Sequence, residues 1–185
     1  MGSLRSCVRA FLISLCSWCA FVSPARAGEI IDATHTGDGS HVRTPDARIR
    51  AAITDGVERS PLFRDLVAQL DASDVIVYVQ VDRAMPPRLQ GRLGLLSVAG
   101  GRRYVIVRIA CFLTGTQQIA ILGHELQHAV EIANAESVVD EASLAAEYKR
   151  IGFGSGAVLA GTGYDSRAAI DAGVRVWREL THKAE

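Results

Sequence analysis

Residues 74–112, DVIVYVQVDRAMPPRLQGRLGLLSVAGGRRYVIVRIACF, decide the fold class. Residues 74–82 are a run of β-branched side chains and read as a strand. Pro86-Pro87 turn residues 84–90 into a loop, since neither proline can donate to a strand ladder. Gly91–Ala99 and residues 102–112 read as two further strands around a Gly100-Gly101 turn, a hairpin signal. The simplest product is a small, mainly antiparallel three-stranded sheet. Upstream, Thr44-Pro45 and Ser60-Pro61 each look like the start of a helix, with a hydroxyl N-cap followed by proline. The expected helices cover residues 46–58 and 62–70. Downstream the period becomes helical: a helix from Thr116 to about Ala133, capped by Thr114 or Thr116, then a break at 134–136 and a second helix over 137–151. In the first of these Ile119, Ala120, Ile121 and Leu122 are apolar all round, the mark of a helix inside the core. A glycine-rich connection, 152–163, leads to an amphipathic helix over 165–181 with Ile170, Val174 and Trp177 on one stripe. The expected class is therefore α+β.

Composition supports a folded chain. Of 185 residues, 49% are hydrophobic and 22% charged, with a mean hydropathy of +0.18, which excludes a disordered or collagen-like protein. The formal charge is zero and the pI near 7.0, so the basic footprint of a nucleic-acid binder is absent. No internal repeat is visible, and the length suits one domain.

The first 27 residues, MGSLRSCVRAFLISLCSWCAFVSPARA, have the layout of a secretory signal. Arg5 and Arg9 supply the basic n-region, residues 10–22 the apolar stretch, and Ala25-Arg26-Ala27 a small-residue cleavage site. Cleavage after Ala27 is expected to export the chain to the periplasm or beyond, with no membrane attachment afterwards. Removing Arg5, Arg9 and Arg26 tips the mature chain to a small net negative charge. Cys7, Cys16 and Cys19 leave with the signal, so Cys111 stays alone and no internal disulfide can form. The mature chain then reads as a polar extended arm, 28–45, and a single domain, 46–185. His35, His41 and His182 fall outside the apolar pattern and are expected in solvent.

The chemistry is concentrated in residues 121–130, ILGHELQHAV. On a helix, His124 and His128 project from nearly the same face and can meet one ion. Glu125 lies about 100° round the helix from His124. It can thus reach a water beside the metal without ligating the metal itself. Zinc lowers the pKa of such a water and polarises a carbonyl, while the glutamate moves the proton. The stretch resembles the HExxH motif of the zincin metallopeptidases. The resemblance covers residues 74–151 and is closest to small, single-domain gluzincin-like proteins. It implies a Zn2+-dependent peptidase, here one expected to be exported by its signal segment, acting on a peptide or protein substrate held extended along an edge strand.

The third ligand stays open. No glycine turn and third histidine follow His128, which excludes the metzincin pattern. Gluzincins place a glutamate on the next helix, and the spacing from His128 to Glu147 is similar to that of their aminopeptidase branch. If the helix over 137–151 folds back antiparallel, Asp140, Leu144, Glu147 and Ile151 form one stripe, so Asp140 competes with Glu147. Glu131, Glu136, Glu141 and Asp165 are further candidates, although Asp165 is most simply the cap of the last helix. Tyr148 and Tyr164 are candidates for stabilising an oxyanion. The glycine-rich connection lacks phosphate-binding spacing. The alternative function is a non-catalytic exported metal-binding or interaction domain on the same scaffold.

Overall fold

The computed structural model describes residues 39–158 and 161–182. The signal segment expected over 1–27, and the part of the arm containing His35, lie outside the described residues. In chain order the elements are β1 (Val42–Arg43), α1 (Ala47–Arg59), α2 (Pro61–Asp71), β2 (Val75–Asp82), β3 (Gly91–Ala99), β4 (Arg102–Ala110), α3 (Gly115–Ala133), α4 (Glu141–Ile151), β5 (Phe153–Val158), β6 (Gly161–Asp165) and α5 (Arg167–Thr181).

The strands form where the β-branched runs lie, but the sheet they build is not the expected antiparallel meander of three. It has four strands in the order β1-β2-β4-β3. β1 and β4 both run parallel to β2, and only the β3–β4 hairpin is antiparallel. The register is continuous from Val75↔Arg103 to Asp82↔Ala110. Burial explains the order. In β4, Val105, Ile106, Val107, Ile109 and Ala110 are all buried, whereas most of β3, with Arg92 and Ser97, is part-exposed or exposed. Placing the strand that is apolar on both faces in the interior of the sheet removes more apolar surface from water. Residues 83–90 form a connection long enough to carry the chain past β4 to the edge. The expected arm also contributes: β1 pairs with β2, and the His41 carbonyl accepts from the Val77 amide at 2.8 Å. His41 itself is buried, and its Nδ1 lies 2.8 Å from the Leu70 carbonyl, contrary to the solvated position expected for it.

Strand alternation sends Val75, Val77, Val79, Val105, Val107 and Ile109 into one core with Leu66, Leu70, Leu122 and Leu126 from the helices. The stacked Tyr78 and Tyr104 rings, 6.5 Å apart, lie on the opposite face. α3 is the central helix, in contact with α1, α2, α5 and strands β2, β3 and β4.

Caps fix the helix starts. Ser60 accepts from the Phe63 amide with Pro61 next in line, as expected. α1 starts later than expected, with Asp46 in place of Thr44 accepting from the Arg48 and Ile49 amides. α4 starts at Asp140, which forms a reciprocal capping box with Ser143. α5 is capped by Ser166, which frees Asp165 from the role expected of it. The connection expected over 152–163 is instead the antiparallel pair β5–β6.

Candidate metal centre

α3 carries His124, Glu125 and His128 on successive parts of its core-facing surface. Glu125 and His128 are buried, while His124 is half-buried. Two glycines bring α5 against this turn. A Cβ on Gly123 would meet Val176 Cγ2 at 2.8 Å, and one on Gly173 would meet His124 Cβ at 3.2 Å. The helices therefore approach closely, and the residues just before α5 arrive beside the histidines.

The acid delivered there is Asp165. Its Oδ1 lies 3.5 Å from His124 Nε2 and 3.5 Å from His128 Nε2. The three ligand atoms all lie within 4.8 Å of one another, and the group can hold a metal ion. Tetrahedral bonds of about 2.0–2.1 Å, the zinc lengths to nitrogen and oxygen, separate their ligand atoms by about 3.3–3.4 Å. The two spacings from Asp165 to the histidines are close to that value, while the two imidazole ligand atoms lie within 4.8 Å of each other and would have to draw together around an ion.

Neither acid expected on the following helix joins this group. Both Glu147 oxygens bind the Arg150 guanidinium, at 2.9 and 2.5 Å, and this pairing holds the Glu147 carboxyl below its ordinary value. Asp140 is occupied as the α4 cap, its carboxyl likewise lowered by the Ser143 hydroxyl and amide. The physical reason is packing. α4 does not fold back along α3 but sits against β3, β5 and β6, and α5 is the helix laid along α3.

Glu125 lies beside the group but outside it. Burial, with no hydrogen bond among the described residues to offset it, pushes its carboxyl up to about 7; His128 opposes that shift and Asp165 adds to it. His128 moves up to about 9: burial works against its charge, but hydrogen bonds to Asp165 and Glu131 outweigh it. His124 moves down, through burial and repulsion from His128, with the two carboxylates opposing. Burial works to raise Asp165, but its contacts with His128 and His124 and the Ser166 amide outweigh it and hold its carboxyl below its ordinary value. Three acids thus surround two imidazoles, a charge balance suited to a cation.

Tyr148 is buried against the site, its ring edge-on to His128 with centroids 5.2 Å apart. Its hydroxyl donates to the His128 carbonyl at 3.4 Å, a long contact, and burial first, then the surrounding carboxylates, keeps the phenol protonated. Tyr164 lines the same cleft next to Asp165.

The site opens into a cleft of about 880 Å³. β3 and the loop before it form one wall, α3 the floor, and α4 residues Glu141, Leu144, Ala145 and Tyr148 the other wall. Gly91 stands directly over Glu125. Any Cβ there would fall inside the contact shell of Glu125 Oε1 and lie 2.9 Å from Ile121 Cγ2.

Sequence reasoning ranked Asp165 low and took Glu131 only as another possible ligand. The usable signal was at the helix start: Ser166 is the better cap, so an acid immediately before it has no capping duty. Searches of family models, curated proteins and solved structures found no match for this chain.

Proposed function

We propose that the protein is an exported, zinc-dependent hydrolase of peptide or closely related amide bonds, with His124, His128 and Asp165 as the metal ligands. The observation that carries this reading is the convergence of two imidazole Nε2 atoms on one carboxylate oxygen, with Glu125 alongside in an open cleft. Zinc held there supplies Lewis acidity and makes water nucleophilic near neutral pH.

The chain's own residues supply the rest. Glu125 takes the proton from the attacking water and returns it to the leaving amine, as the only carboxylate that faces the cleft from α3 without joining the ligand group. β3 holds the substrate. It is an edge strand, and the Ala110 amide donates to the Gln90 carbonyl at 2.9 Å. By strand alternation Arg92 then also bonds to β4, which leaves the amide and carbonyl of Gly91 and Leu93 directed at the open edge. An extended peptide can pair with those groups directly above the metal group. Gly91 lets that backbone approach Glu125. Tyr148 packs edge-on against His128, with its hydroxyl turned to the His128 carbonyl.

Metal content of the purified protein and cleavage of a peptide library test the proposal together. The expected result is about one zinc per chain, with hydrolysis that falls about 10²–10⁴-fold in Glu125→Gln while zinc is retained. A protein that takes up no zinc when it is supplied would overturn the metal reading. Bound zinc with no cleavage, and function indifferent to Glu125→Ala, would leave the non-catalytic metal-binding domain as the better account.

A further inference from the structure

We propose that Glu131 and Ser166 form a buried positioning pair that orients His128 toward the metal and fixes which of its ring nitrogens carries the proton. The inference rests on the zinc reading above and goes beyond its ligand set. His128 Nδ1 lies 2.8 Å from Glu131 Oε2. A carboxylate only accepts, so Nδ1 must carry a proton; Nε2 faces His124 and Asp165, where a metal would take its lone pair in place of a second proton. The second Glu131 oxygen is also engaged, because Ser166 Oγ donates to Oε1 at 2.5 Å. That hydroxyl proton is committed: Ser166 Oγ meanwhile accepts from the Ala169 amide at 3.0 Å, as the cap of α5.

Both oxygens of Glu131 are therefore used on the far side of the His128 ring, and Glu131 is not a ligand. The arrangement is costly unless it serves a cation. The Glu131 side chain is 11% exposed and Ser166 3%, and among the described residues no arginine or lysine pairs with Glu131. A buried carboxylate whose partners are one imidazole and one neutral hydroxyl needs positive charge on the imidazole side, from a second ring proton or from a metal. Zinc bound at Nε2 would take over that role from the proton, and the carboxylate would raise the basicity of the ligand nitrogen. Chain order makes the device compact, since Asp165 meets the metal and the next residue, Ser166, anchors the support of the opposite ligand. The pair acts through His128 and touches neither substrate nor metal.

The test compares the purified protein with Glu131→Gln, Ser166→Gly and Ser166→Thr. Zinc affinity is read by competition with a chromophoric chelator, and ligand geometry by the visible spectrum of the Co2+-loaded protein at saturation. Glu131→Gln and Ser166→Gly are expected to weaken zinc about 10–100-fold and to shift the cobalt bands. Ser166→Thr, which keeps the hydroxyl, is expected to restore both. Glycine retains most of the capping stability, so an affinity loss in Ser166→Gly reports the contact with Glu131 and not the helix start. Unchanged affinity and an unchanged cobalt spectrum in Glu131→Gln would overturn the proposal. Should that variant fail to fold, equal zinc affinities for Ser166→Gly and Ser166→Thr would overturn it instead. A wild-type protein that binds no zinc defeats both this inference and the proposed function, whereas tight zinc binding indifferent to these variants defeats only this one.

Discussion

Gly91 and Glu125 show how much of the site depends on single atoms. A methyl group at Gly91 has no room beside Glu125 Oε1, and the carboxylate is the movable party. Gly91→Ala is therefore expected to turn Glu125 away from its position while leaving His124, His128 and Asp165 untouched. If the proposed zinc-dependent hydrolysis holds, it should fall by at least about 10-fold, equivalent to ~1.4 kcal/mol of barrier, with zinc stoichiometry unchanged; full activity in this variant would show that Glu125 does not act from the observed position. The contrast between His128 and Asp165 explains what could be read beforehand. His124, Glu125 and His128 share one helix, so their relative placement follows from the helical period alone. Asp165 joins them only because Gly123 and Gly173 let α5 lie close against α3, a tertiary event with no periodic trace in the sequence. Glu147 and Asp140 sat on a plausible stripe, but Arg150 and the α4 amides claimed them first.

At the scale of elements, the parallel β2–β4 pair depends on Arg103. This buried guanidinium binds both Asp74 oxygens, at 2.7 and 2.6 Å, and donates to the carbonyls of Ile132, Ala133 and Ala135 at the end of α3. One side chain thereby joins the start of β4, the residue before β2 and the C-terminus of the helix that carries the site. Arg103→Ala strips those acceptors of their donor and is expected to cost about 3 kcal/mol, read from denaturant unfolding. Asp74 adds a pH dependence whose sign is set. The bond to Arg103, more than its other contacts, holds its carboxyl below its ordinary value in the folded protein, against some opposing desolvation. Its contribution is therefore present above about pH 4, the unfolded value, and is lost as pH falls through the lower folded value. The stability gap between the wild type and Asp74→Asn should be constant from neutral pH down to about 5 and close in stronger acid; a gap that widened on acidification would contradict the assignment. The strands themselves were legible from their β-branched runs, but their order was not. Local pattern specifies that 91–99 and 102–110 form a hairpin, while the choice of which strand lies next to β2 is made by burial of β4 on both faces.

For the whole molecule, the residues that could hold an ion come from parts distant in sequence. His124 and His128 belong to α3, and Asp165 to the junction of β6 and α5. Ties there among the described residues include the Ser166–Glu131 contact and close helix packing; farther along α5, Glu179 accepts from Ser60 Oγ at 2.6 Å and from the Leu62 amide at 3.1 Å, and the Leu180 carbonyl accepts from Arg59 at 2.8 Å. Cys111, the free cysteine among the described residues, has no disulfide to contribute. An ion that binds the folded chain and not the unfolded one stabilises it by mass action, by about 4 kcal/mol when free zinc is 1,000-fold above its dissociation constant. For a domain of this size that amounts to roughly 8–16 °C in melting temperature. Excess chelator is therefore expected to lower the melting temperature of the zinc-loaded protein by about that much, and added zinc to restore it. The loss should be specific to the group: Asp165→Asn should melt close to the chelated wild type and respond weakly to chelator, whereas Glu147→Gln should melt and respond as the wild type does, apart from the minor loss of its ion pair with Arg150. If Glu147→Gln abolished the zinc-dependent stabilisation and Asp165→Asn preserved it, the ligand would be the acid on α4 and the packing of α5 against α3 would have no part in holding the ion. The two variants thus separate a site built within consecutive helices from one assembled by the tertiary fold.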